Sequence, residues 1–287
     1  MRSSLAILYG LVGIASAFSS PLFASDDVPV AYSESCFIDG VDEQLTCGYV
    51  PVPENYQQPD GKQIDIHYAI LPAVTEGKRP DPLLILAGGP GQAATELAPM
   101  IAKIFEPVRK KRDIVLIDQR GTGASNPLQC EVQHADELMQ TDDPDNLRKM
   151  AATCLAKFTD TDTLQYTTLN SIRDFEKVRE ALGISRFNLY GGSYGTRIGL
   201  KYLQHYPQSV RTATLDAVAP PQVVIGPFGL HGSLAFKLML EDCQKQPGCA
   251  RTFPDLTEDY QDVMKRLATT EVMISGFTLA LTVFARL

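Results

Sequence analysis

The chain has 287 residues, 44% of them hydrophobic and 21% charged, a composition of a folded globular protein and not of a disordered one. Its formal net charge of −8 argues against nucleic acid as a main partner, because phosphate recognition needs a basic face. The one basic run, Arg109-Lys110-Lys111-Arg112, reads as the solvated end of a helix, where positive charge suits the helix dipole.

In chain order, the first element is a targeting pattern. Arg2 supplies a positive start, Leu5 to Ala15 is a short apolar run, and Ala15-Ser16-Ala17 offers a small-residue cleavage site, with Leu22-Phe23-Ala24 as a second choice. The run is shorter than the roughly 20 residues of a membrane span. Residues 1–24 are therefore expected to be a signal peptide, with no stable membrane insertion after its removal. Export to a secreted or periplasmic, oxidising location fits the six cysteines. Proximity pairs them as Cys36–Cys47, Cys130–Cys154 and Cys243–Cys249, each closing a short loop worth about 2–4 kcal/mol. There is no C-x-x-C pair and no cysteine–histidine cluster, so neither a metal site nor any cofactor is expected.

Residues 36–56 read as an irregular segment closed by a disulfide. "IDIHYAIL" (Ile64 to Leu71) alternates as a half-buried strand does. "PLLILAGGPG", "DIVLIDQRG", "RFNLYGG" and "RTATLDAVAPP" are short apolar runs that suggest parallel strands buried on both faces. Between them, "NSIRDFEKVREALG" carries Ile172, Phe175, Val178 and Leu182 at helical spacing, with Asn170 or Ser171 able to cap it and Gly183 able to end it. "DDPDNLRKMAATCLAKF" and "TRIGLKYLQHY" are further helical patterns. Strand alternating with helix predicts right-handed βαβ units and an α/β sheet. After Pro220-Pro221, "LHGSLAFKLMLEDCQKQPGC" and "DLTEDYQDVMKRLATT" read as helices with no strand between them. Val272 to Ala285 reads as a packed helix.

Gly191-Gly192-Ser193-Tyr194-Gly195 matches G-x-S-x-G between a predicted strand and a predicted helix, the setting of a nucleophile elbow. The turn is sharp enough to strain the serine backbone by about 1–3 kcal/mol. Gly191 and Gly195 pass close to each other, so both must lack side chains. Ser193 is then the candidate nucleophile, and Tyr194 turns a backbone N–H toward the oxyanion. The alternative is a plain Gly-Ser turn. Gly88-Gly89-Pro90-Gly91 follows another strand and can bring a second N–H, assigned to Gly89. A tight turn with no role is the competing reading; a phosphate loop fits poorly, for want of a Walker lysine. Asp118-Gln119-Arg120-Gly121 reads as support, with Arg120 and Asp118 in a buried pair or in backbone hydrogen bonds. A catalytic Asp118 is disfavoured, since the acid follows the nucleophile in such chains.

"GGPGQAA", "DQRGTGAS", "GGSYGTRIGL" and "LDAVAPP", in this order, resemble the prolyl aminopeptidase and tripeptidyl aminopeptidase family of α/β-hydrolases. The resemblance implies an α/β-hydrolase fold with a mostly parallel sheet, and a serine peptidase that releases residues from peptides with a free N-terminus. It makes Ser193 the nucleophile and Gly89 and Tyr194 the oxyanion donors. Where relatives often begin the first motif with histidine, this chain has Ala87. The family inserts a helical cap and supplies its catalytic acid and histidine after it. The expected organisation is thus a core over 25–221 and the start of a cap over 222–287, truncated before those two residues.

The histidines available are His67, His134, His205 and His231. His205 lies on the helix behind the serine and should face away; His231 opens the cap-like helices and is the weak surrogate base. Asp216 could serve as an acid, although a buried or capping aspartate is the simpler expectation. Two further readings stay open: an esterase of the same fold, and an inactive hydrolase-like remnant or binding protein.

Overall fold

The structure, a computed structural model, describes residues 31–130, 144–223, 228–269, 272–274 and 277–279. The expected signal peptide and His134 lie outside the described residues.

Seven strands form one mixed sheet: β1 (Tyr32–Cys36), β2 (Leu45–Pro53), β3 (Gln63–Leu71), β4 (Leu83–Leu86), β5 (Ile114–Ile117), β6 (Phe187–Gly192) and β7 (Val210–Asp216), in spatial order β1-β2-β3-β5-β4-β6-β7. The first three run antiparallel to their neighbours, and β5, β4, β6 and β7 are mutually parallel. β4 and β5 are buried along their whole length, as continuous apolar runs require. β7 departs from that expectation. It forms the outer edge among the described residues, and most of its residues are exposed.

Helices cover both faces. On one side lie α1 (Ala98–Ile104) and α2 (Glu106–Arg109). A polar excursion carries α3 (Pro144–Leu155), and α4 (Thr168–Ala181) and α5 (Tyr194–His205) cover the other side. Strand alternation sends Leu84 and Leu86 to one core with Phe175, Val178, Ile198 and Tyr202. It sends Leu83, Ile85 and Ala87 to a second core with Ala98 and Ile101. Side chains such as Leu84 and Phe175, at 0% and 1% exposure, each stabilise the fold by about 1.5–3 kcal/mol. Gly183, at φ +64°, ends α4 as expected. Its cap, however, is Thr167, whose side chain accepts the N–H of Asn170. Asn170 and Ser171 are instead buried in the first turn, because helix formation starts as soon as a capping oxygen is available.

Three other expectations change. Residues 36–56 are irregular only in part: Cys36 ends β1 and Leu45–Pro53 form β2, with Glu34 opposite Cys47, while 37–44 and 54–56 lie outside the strands; the expected Cys36–Cys47 disulfide fastens the pair. The pairs Cys130–Cys154 and Cys243–Cys249 also form. The basic run is only partly solvated. Buried Arg109 pairs with Glu43 and donates to the Pro72 carbonyl, and Arg112 pairs with Asp81. Within Val272 to Ala285, the described residues form β8 (Val272–Ile274) and β9 (Phe277–Leu279), an antiparallel pair and not a helix. Branched and aromatic side chains favour strand, and the intervening sequence is Ser-Gly, a turn-forming dipeptide.

The helices after the sheet are α6 (Phe228–Lys245), α7 (Pro247–Thr252) and α8 (Leu256–Thr269), with no strand between them. Leu230, Leu234, Leu238 and Met239 on α6 are exposed. At the opposite end of the parallel strands from the Gly-rich turns, Asp81 accepts from Asn188 and Arg112 and forms an ion pair with Arg211, tying together the starts of β4 to β7. Burial pushes its carboxyl up, but the Asn188 and Arg112 hydrogen bonds and the charges of Arg112 and Arg211 pull harder, leaving it below the ordinary value.

Candidate active site

β6 ends and α5 begins at Ser193, whose backbone is at φ +52°, ψ −120°. This is a region that costs a non-glycine residue about 1–3 kcal/mol. The surroundings show why the sequence must be glycine on each side. A Cβ on Gly191 would lie 2.5 Å from the Gly195 carbonyl oxygen, and one on Gly195 would lie 2.0 Å from the Leu86 oxygen. Gly192 meets nothing within 4 Å, so the middle position carries no such demand.

The bend is fastened at several points. The Ser193 N–H donates to the Asp216 carbonyl at 3.0 Å, and the Ser193 carbonyl accepts from the N–H and Oγ1 of Thr196 at 3.0 and 2.6 Å. Thr196 in turn accepts the Ala219 N–H at 2.8 Å. Thr196 is a residue that the sequence reading missed; a hydroxyl directly after the second glycine of the motif was the available signal. The Tyr194 side chain turns away, with its hydroxyl 2.6 Å from Thr168 Oγ1. Its backbone N–H belongs to the first turn of α5, where no carbonyl inside the helix can take it.

Ser193 is exposed and lines a cavity of about 390 Å³. Ala87, Gly88, Leu97, Met100 and Ile101 contribute apolar and small lining residues, and Gln92, Tyr190 and Asp216 the polar points. A Cβ on Gly88 would stand 3.6 Å from the Cβ of Ser193, so the Gly-rich loop packs directly beside the serine. Gly89 is exposed at φ +101°, and its N–H makes no backbone hydrogen bond among the described residues. Among the described residues Ser193 Oγ has no hydrogen-bond partner, and no histidine lines the cavity.

The other candidates stand elsewhere. His67 Nδ1 lies 3.0 Å from Asp118 Oδ2, with its ring against Tyr49. His205 and His231 are exposed on α5 and α6. Asp216 is neither buried nor a helix cap: it is exposed at the end of β7, and its carboxylate accepts the Tyr190 hydroxyl at 2.7 Å. That hydrogen bond, with burial, raises the Tyr190 pKa.

Asp118 and Arg120 are both buried and fully bonded, but not to each other. Asp118 accepts from Thr95 N–H and Oγ1 and from Ala124 N–H. Arg120 makes a two-pronged pair with Asp174 at 2.7 and 2.6 Å, and donates to the carbonyls of Pro53, Glu54 and Gln165. Adjacent strand-end residues two apart point to the same side only in extended backbone; the turn sends these two apart. Tyr56 also donates to Asp174, and burial pushes its hydroxyl pKa well up. Among the described residues no group of three or more His, Cys, Asp or Glu is placed to hold a metal.

The family described as alpha/beta hydrolase fold matches residues 81–234, which contain the Gly-rich loop, the buried turn and the elbow. The chain belongs to the alpha/beta hydrolase fold family. Within it, the chain is 28% identical to the serine protease Hip1 of Mycobacterium tuberculosis over 221 residues, 71% of this chain and 42% of that protein. It is 31% identical to the tripeptidyl aminopeptidase of Streptomyces lividans over 205 residues, 66% of this chain and 38% of that protein. Proline iminopeptidase of Neisseria gonorrhoeae is 32% identical over 145 residues, covering 50% and 35%. The chain thus spans about two fifths or less of the length of these curated relatives. In this member of the family, the strand–serine–helix turn sits where open α/β sheets bind their ligands, at the carboxyl ends of the strands.

Proposed function

We propose that this chain carries the nucleophile half of a serine peptidase site that acts on peptides near a free N-terminus. The observation that carries the reading is Ser193: exposed, strained, and held at the first turn of a helix over an open cavity. Its Oγ attacks a substrate carbonyl carbon, and the electron pair moves to the carbonyl oxygen. The N–H groups of Tyr194 and Gly89 receive that oxyanion; its collapse breaks the C–N bond, expels the rest of the peptide as an amine that takes up the proton lost by Ser193, and leaves an acyl-enzyme for water to release. The names of the relatives support a peptide substrate. We also assign residues 25–221 to the hydrolase core and 222–287 to the start of a helical cap. Export through residues 1–24 to an extracellular or cell-envelope location is supported by the three disulfides.

A proton acceptor for Ser193 is a separate requirement, since a base must come within hydrogen-bond reach. No described histidine lines the cavity, and this favours, as a second reading, a binding protein built on a hydrolase frame. A fluorophosphonate probe followed by intact mass separates the two. Labelling that disappears in Ser193→Ala supports the nucleophile; an unlabelled wild type, or equal labelling of the variant, removes it. Turnover by these residues alone is expected to stay near the roughly 10³–10⁴-fold over water that an oxyanion hole and binding provide.

A further inference from the structure

Among the described residues that line the serine's cavity, Asp216 supplies the one charged side chain. Its place is set by the sheet. Asp216 is the register partner of Gly192, and its carbonyl holds the Ser193 N–H at 3.0 Å. The Asp216 backbone therefore stands one strand away from the elbow, about 4.8 Å across the sheet, and its side chain lines the same cavity as Ser193. It accepts a single hydrogen bond within the described residues, from Tyr190, and no lysine or arginine among them pairs with it. A carboxylate can accept about four, so most of its capacity is left over in the cavity it lines. Leu97, Met100 and Ile101 contribute apolar lining to the same cavity.

We propose that the Asp216 carboxylate anchors the protonated α-amino group of the residue whose carbonyl Ser193 attacks, so that the site favours release of one N-terminal residue at a time. The inference rests on the peptidase reading above and names its substrate end. Reach decides the number of residues. In a single leaving residue the ammonium nitrogen lies about 2.5 Å from the attacked carbon, the span of one N–Cα–C unit. In an extended tripeptide it lies roughly 7 Å farther off, at about 3.3–3.6 Å per residue. Asp216 and Ser193 line one cavity from the ends of neighbouring strands, a setting that suits the shorter span. The apolar lining residues then take that residue's side chain.

Two measurements on the full chain separate this inference from its parent. Fluorophosphonate labelling of the wild type tests Ser193. Calorimetric titration with leucinamide, N-acetyl-leucinamide and trileucine amide tests the anchor. We expect leucinamide to bind roughly tenfold to a hundredfold more tightly than its acetylated form, the range of one charge-assisted hydrogen bond. Asp216→Asn should bring that ratio close to one, and Tyr190→Phe, which leaves the carboxylate in place, should keep it. Leucinamide should also bind at least as well as trileucine amide. Equal binding of the acetylated form, a preference that survives in Asp216→Asn, a clear preference for the tripeptide amide, or no measurable leucinamide binding would each overturn the anchor while a labelled serine stands. Failure to label Ser193 overturns the parent reading and the anchor with it.

Discussion

Two turns leave the carboxyl ends of β5 and β6, the strands that flank β4, and they are built on opposite plans. After β5, Asp118 and Arg120 are buried, and each is surrounded by hydrogen-bond partners from distant parts of the chain. After β6, Ser193 is exposed in a strained backbone conformation, with an unpartnered hydroxyl among the described residues. Charge is spent on holding the first turn still, and very little charge surrounds the second. The difference teaches how to tell support from chemistry when both look like polar motifs in sequence: a supporting polar group is saturated, and a reacting one is left open.

The largest expected effect comes from breaking the saturated turn. Arg120→Ala would leave Asp174 buried without its cation, at a cost of about 3–5 kcal/mol. Urea melts followed by circular dichroism should show this loss, and a loss under about 1 kcal/mol would show that the turn is not held as described. An intermediate effect is expected at the far end of the same strands. Asp81→Asn should cost on the order of 1.5–3 kcal/mol near neutral pH, the worth of hydrogen bonds to charged groups. The Asp81 carboxyl titrates lower in the folded chain than its ordinary 3.8. Its contribution is therefore present above that value and is lost as pH falls through the folded one. Melting temperatures of the variant and the wild type should converge in acid; a gap that persists at low pH would contradict the assignment. The smallest effect has the opposite sign. Ser193→Gly removes the proposed nucleophile and relieves φ +52°, and should stabilise the fold by about 1 kcal/mol once glycine's greater unfolded-state entropy is offset. A destabilised glycine variant would mean that the elbow stores no strain.

Much of the frame was legible because its strands are short apolar runs between turn residues, and hydrophobic periodicity is a local signal. The elbow was legible for the same reason: two glycines, a serine and a helix lie within a few residues. What failed to show was non-local. Arg120 meets Asp174 from 54 positions away, and no spacing rule announces such a partner. β1 reads Tyr-Ser-Glu-Ser-Cys, too polar to look like a strand, and it is one because it lies exposed on an edge, stapled to β2. The pair β8 and β9 was hidden for the converse reason, since short apolar runs do not distinguish strand from helix by periodicity alone. Asp216 was visible as a residue, but its exposure depends on β7 being the outermost strand described.

That last position bears on how the serine behaves over time. The bond from the Ser193 amide to the Asp216 carbonyl tethers the bend to an outermost strand of the described sheet, most of whose residues are exposed. Thermal fraying would start at such a margin and reach the footing of Ser193 before it disturbed either core. The strained conformation of the serine is thus no more durable than the grip of that outer strand.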